Sequence, residues 1–194
     1  MGNAKPVTIT VHIEDDSTIY PPDPPYKFWL DPNYSKVGKK KTQNLTFNNE
    51  NTFDGFDLTF VIDDDTKKDF KFMDIGTLAN GDPDPDVAPM WVKTVPNLGG
   101  QDCPDREFWD QFKAVKVYGN NKKLDVRNEN KDKQCFKFAL RFSTTKGPVM
   151  YDPGGTNLNG THPIFNITPL VVAAIGGAIV GSLITLGVEA AISG

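Results

Sequence analysis

From Leu170 to Val188 the chain reads LVVAAIGGAIVGSLITLGV, nineteen residues without a charge. At a rise of roughly 1.5 Å per residue an α-helix of that length spans about 29 Å, close to the hydrocarbon thickness of a bilayer. Core helices of water-soluble domains seldom stay apolar on every side for so long, so the run predicts a membrane-spanning helix over 169–190. Pro169, with its fixed φ and missing N–H, suits the first helical position behind Thr168 as N-cap, and Glu189 marks the far end. This segment divides the chain: what precedes it must fold in water and be held near lipid.

Small residues within the run are spaced for contact. Ala173, Gly177 and Gly181 recur every four residues, and Ala174, Ala178 and Ser182 form the neighbouring stripe. Such a face lets another backbone approach closely, which is how helices associate in lipid, where apolar burial between them gives no drive. The expected partners are helices of an integral membrane protein or further copies of this chain, within a lipid bilayer. No Lys or Arg follows Lys146, so the positive-inside rule assigns no orientation. The start, MGNAKPVTITVHIE, has no apolar run of signal-peptide length; the expectation is a tail-anchored, single-pass arrangement with the N-terminal domain in the cytoplasm.

Ahead of the tail the hydrophobic pattern alternates. Val7, Ile9, Val11 and Ile13 share one face, as do Phe56, Leu58, Phe60 and Ile62, and again Phe136, Phe138, Leu140 and Phe142. Shorter strands are expected at 26–30, 44–47, 69–73, 90–95, 113–118 and 124–126, and EFWDQF at 107–112 reads as a helical turn with Phe108 and Phe112 at i, i+4. Pro21, Pro22, Pro24 and Pro25 impose an extended connector. The predicted fold is mainly β: an antiparallel β-sandwich of about eight or nine strands over 1–153, a polar tether over 154–168, and the C-terminal helix. Thirteen phenylalanines supply its core.

Charge and chemistry narrow the function. Lys and Arg number 21 against 25 Asp and Glu, a net charge of −4 without a basic patch, so nucleic acid is not an expected partner. The one basic cluster, Lys39-Lys40-Lys41, reads as a solvated loop. His12 and His162 are the only histidines, neither sits in a nucleophile motif, and no glycine-rich phosphate loop is present; no catalysis and no cofactor are expected. Asp82, Asp84 and Asp86 resemble the opening of a calcium loop. However, the sixth and twelfth positions would be Val87 and Lys93, and the intervening prolines stiffen the segment, so it is a weak metal candidate. Trp29, Trp91 and Trp109 read as packing residues rather than a sugar platform, and Cys103 and Cys135 as reduced thiols.

The stretch FKFALRFSTTKGPVMYDPGGTN, Phe136 to Asn157, with its Asp152-Pro153 pair, resembles the end of the DP-EP family of small bacterial β-sandwich proteins. The alternating strand Val7 to Ile13 is similar too, and the apolar tail is a departure. The resemblance implies a fold and no activity.

The reading that follows is a non-catalytic accessory or structural subunit anchored by its C-terminal helix in a larger membrane complex. Two alternatives are a virion or filament protein whose apolar tails bundle, and a membrane-tethered module binding sugar or calcium.

Overall fold

The computed structural model describes residues 4–16, 26–48, 55–98 and 106–158. The expected helix over 169–190, with Ala173, Ala174, Gly177, Ala178, Gly181 and Ser182, lies outside the described residues, as do the proline connector, Cys103 and His162. Among the described residues no helix is long and apolar enough to cross a membrane.

The described residues form eleven strands: β1 (Lys5–Asp15), β2 (Tyr26–Pro32), β3 (Asn44–Phe47), β4 (Phe56–Asp64), β5 (Lys71–Phe72), β6 (Met90–Val95), β7 (Phe112–Tyr118), β8 (Lys123–Asn128), β9 (Gln134–Thr144), β10 (Gly147–Tyr151) and β11 (Gly154–Asn157). They form two mixed sheets, one ordered β2-β1-β4-β8-β7 and the other β10-β9-β11-β3 with β5 and β6 also on β9. The alternation that marked β1 is realised in full, with Val7, Ile9, Val11 and Ile13 at most 2% exposed and the residues between them facing out.

Inward residues of both sheets share a single core. Phe60 of β4 meets Phe138 of β9 at 6.0 Å between ring centroids, and Phe28 of β2 stacks on Tyr151 of β10 at 4.9 Å. Tyr151 Oη donates to Gln43 Oε1 at 2.6 Å, and Gln43 Nε2 donates to the Phe28 carbonyl at 2.7 Å, which joins the sheets by a polar link as well. At the other end Asn128 of β8 and Asn157 of β11, both buried, exchange carboxamide hydrogen bonds of 2.9 and 3.2 Å. Buried amides paired in this way satisfy each other and fix the register of the two sheets.

Four expectations are corrected. The sheets are not purely antiparallel: β1 runs parallel to β4, and β11 parallel to β3. Period-two alternation assigns faces but not neighbours, and a chain that visits the second sheet as β3 before returning as β4 arrives beside β1 in the same direction. Among the described residues the strands number eleven rather than eight or nine, the additions being β10 and β11. Residues 107–112 form no helical turn: β7 already begins at Phe112, whose N–H closes a tight turn on the Trp109 carbonyl at 2.9 Å.

The fourth concerns the tether expected from residue 154. Gly154–Asn157 is instead a buried interior strand between β9 and β3. Pro153 lacks an N–H and separates β10 from β11 along the edge of β9, while its carbonyl still accepts from Phe138 N at 3.0 Å. The glycines of β11 are there for space: a Cβ on Gly155 would lie 2.4 Å from the Phe136 ring and 3.0 Å from the Leu45 carbonyl oxygen.

Gly155→Ala therefore lowers the unfolding free energy by about 1–3 kcal/mol in urea denaturation, the usual range for overpacking; a loss below about 0.5 kcal/mol contradicts the packing. Burial, and then the nearby Asp152 charge, push the Tyr151 phenol above its ordinary pKa. Its stabilising share is present below about pH 10 and is lost as pH rises beyond that, because the unfolded phenol ionises first. At neutral pH the wild type exceeds Tyr151→Phe by about 1 kcal/mol, the value of one hydrogen bond, and by about pH 11 that gap closes; a gap that widens with pH contradicts the assignment.

Candidate functional site

Each sheet ends at a strand paired on one side by only one named strand, β7 in the first sheet and β6 in the second. Residues 106–111 cross between these two edges, and Val92 N donates to the Glu107 carbonyl at 2.8 Å. Above this crossing opens a cavity of about 460 Å³. It is lined by Met90 and Val92 of β6, by Phe112 and Ala114 of β7, and by Phe108 and Trp109 of the crossing segment. Its floor is continuous with the core, since the Trp109 ring lies 5.7 Å from both Phe112 and Phe136. The rim is apolar too: Phe108 is 44% and Ile75 38% exposed.

The lining includes two charged residues, Asp110 and Lys113. Lys113 Nζ reaches Glu129 Oε1 only at 4.0 Å, whereas Lys131 Nζ holds Glu129 Oε2 at 2.5 Å. The Lys131 hydrogen bond is the main reason that the Glu129 carboxyl lies below the ordinary glutamate range.

The remaining wall comes from the loop between β5 and β6, through Gly76, Pro83, Ala88 and Pro89. This loop carries Asp82, Asp84 and Asp86, and it is organised around a cation from within the protein. Arg141, on the outward face of β9, donates to the carbonyls of Pro85 at 3.0 Å, Ala88 at 2.8 Å and Asp86 at 2.9 Å. Its guanidinium lies 3.9 Å from the Trp91 ring centroid, and Trp91 Nε1 also donates to the Pro85 carbonyl at 3.0 Å.

The carboxylates point elsewhere. Asp82 accepts from Asn80, Asp84 accepts from the Asp86 backbone, and Asp86 pairs with Arg106 at 3.0 Å. The three aspartates are thus not brought together as a calcium ligand set, and among the described residues no group of three or more His, Cys, Asp or Glu is arranged to hold a metal. The loop folds around a guanidinium, whose planar fork donates to three of its carbonyls.

Other residues singled out in the sequence are placed apart from the cavity. His12 faces outward from β1, its Nδ1 2.8 Å from Asp63 and its Nε2 3.4 Å from Asp31, and it stacks on Trp29 at 5.3 Å. Lys41 of the lysine cluster lies over the same Trp29 ring at 5.2 Å. This group ties β1, β2 and β4 together across the outer face. Cys135 is a buried free thiol, 3.8 Å from Thr156 Oγ1. Of the tryptophans, Trp29 and Trp91 pack on outer faces and Trp109 lines the cavity.

Sequence reasoning missed the cavity because EFWDQF, read as one helical face, hid the fact that Phe108 and Phe112 are split between rim and wall. Replacing Arg141 with Gln removes charge-assisted hydrogen bonds that hold the loop. The amides of Val87 and Ala88 should then exchange with solvent at least about tenfold faster, with β1 unaffected; unchanged exchange contradicts the role given to Arg141. Compared with known proteins, the chain matches no family model, and no curated protein matches it at a significant level.

Proposed function

We propose that this protein is a non-catalytic accessory or structural subunit: a β-sandwich held at a lipid bilayer by a helix over 169–190, whose small-residue face docks on other membrane helices or on further copies of the chain. The observation that supports this reading is the position of β11. It is the described strand nearest the C-terminal segment, and it lies between β9 and β3 with hydrogen-bond ladders on both sides. A pull on the residues beyond it loads two ladders along their length, whereas an edge strand would peel one bond at a time. Membership of the DP-EP family belongs to the same proposal; its Asp152-Pro153 pair occupies the break between β10 and β11.

The cavity favours a second reading, a ligand-binding module tethered to the membrane. Its apolar lining suits neither a sugar nor calcium, the ligands expected from the sequence, and selects an apolar group instead.

Carbonate extraction of membranes carrying the full chain tests the first reading. The protein stays in the membrane fraction, and release into the supernatant contradicts the anchor. Replacing Gly177 and Gly181 with Leu leaves that fractionation unchanged but lowers recovery of partner or oligomer in mild detergent by about tenfold. Equal recovery removes the docking face from the account.

A further inference from the structure

We propose that the cavity lined by β6 and β7 is a docking site for the chain's own apolar run, Leu170 to Val188, when no bilayer is at hand, and that insertion into lipid empties it. The inference rests on the anchoring reading for the release, and goes beyond it by giving the run a second place to sit.

Three observations select this occupant. The first is the character of the opening. Among the described residues five large apolar side chains are exposed; Ile75 and Phe108 line the cavity, and Leu78 lies on the loop that walls it. An apolar patch around an apolar hollow marks a contact surface. On β7 the alternation turns Phe112 and Ala114 toward the interior and the exposed Lys113 away from it, so this strand offers the hollow no charge. The complement of such a lining is an uncharged apolar group, and residues 170–188 carry no charge.

The second is reach. Leu158, the last described residue, donates its N–H to the Phe47 carbonyl at 2.8 Å, and the Phe47 ring lies 6.1 Å from that of Phe112, which lines the cavity. The chain thus leaves the sandwich at the end where Phe112 begins β7. Residues 159–169 span at most about 36 Å when extended, at roughly 3.3 Å per residue, which exceeds the width of several strands spaced about 4.8 Å apart.

The third is size. The volume of about 460 Å³ takes about 15 non-hydrogen atoms at the roughly 30 Å³ that a water-sized group occupies in a liquid. Val171, Val172, Ile175 and Ile179 carry nearly that many side-chain carbons and share one helical face, apart from the small-residue stripe. The cavity therefore holds one face of the run and leaves the remainder in water. A bilayer accepts all of it, so lipid outcompetes the cavity.

Photocross-linking in the full chain tests this. p-Benzoylphenylalanine replaces Phe108 at the rim, and the chain is synthesised at nanomolar concentration in a cell-free system and irradiated with and without phosphatidylcholine liposomes. Without lipid, the inference predicts an intramolecular cross-link to residues 170–188, located by peptide mass spectrometry. Ile175→Asn with Ile179→Asn lowers its yield about tenfold, while Gly177→Leu with Gly181→Leu leaves it unchanged; both pairs alter residues beyond the sandwich. Liposomes lower the yield of the unaltered run by at least about tenfold.

No cross-link to that run in water overturns the inference and leaves the anchor to the carbonate test. A cross-link to a neighbouring molecule, seen as a doubled mass, gives the cavity to a second copy, and one confined to residues 99–105 gives it to the segment preceding Phe108; either result overturns the inference. A cross-link that persists at full yield in liposomes refutes the release and the anchoring reading together.

Discussion

Four inward side chains of β9, Phe136, Phe138, Leu140 and Phe142, are the contact on which both sheets depend. All are at most 1% exposed, and transfer of each from water contributes about 1.5–3 kcal/mol. Phe142 meets Phe28, Phe70 and Phe72; Phe138 meets Phe60; Phe136 meets Phe47, Phe112 and Trp109. The strand is flanked along both edges as well, by β10 and β11 on one side and by β5 and β6 on the other. Because its side chains alternate, the opposite face is free for another task, and there Arg141 gathers the loop that walls the cavity. One strand with a period of two thus supplies the core inwardly and organises the site outwardly.

The cavity is where that core reaches the surface. Trp109 and Phe112 pack on Phe136 below and line the opening above, so the same rings belong to the interior and to the site. A bulge between Ala114 and Lys116 bends β7 and leaves Val115 63% exposed, which disrupts the regular edge that a neighbouring strand would need. The edge is left to side chains rather than to strand pairing, a geometry suited to receiving a small apolar group.

Much of the β architecture was legible in the residues, and the exceptions have physical causes. Where apolar residues alternate over several positions, as in β1, β4 and β9, the strands lie where the pattern puts them. β11 escaped because Gly-Gly-Thr-Asn has the composition of a flexible link, and its burial comes from the Phe136 ring that only glycine can accommodate. β10 carries just Val149, Met150 and Tyr151 beside Gly147 and Pro148, too short a run to show a period. The acidic repeat Asp82, Asp84, Asp86 suggested a cation from outside, while the cation it folds around stands 55 residues away from Asp86 in the sequence, at Arg141. Long-range pairings of this kind leave no local signature. The parallel ladders were invisible for the same reason, since direction depends on the path between strands and not on the strands themselves.

These features combine into one mechanical picture. The aromatic stripe of β9 unites the sheets, β11 is held beside it, and the segment that the account assigns to lipid follows from β11. Native-state hydrogen exchange in sub-denaturing urea tests this most directly. The account predicts that the amides of Phe136, Phe138 and Phe142 exchange only through global unfolding, with free energies that match the equilibrium value for the whole described domain. Exchange of those amides by a lower-energy opening, while β1 and β4 remain protected, would contradict it.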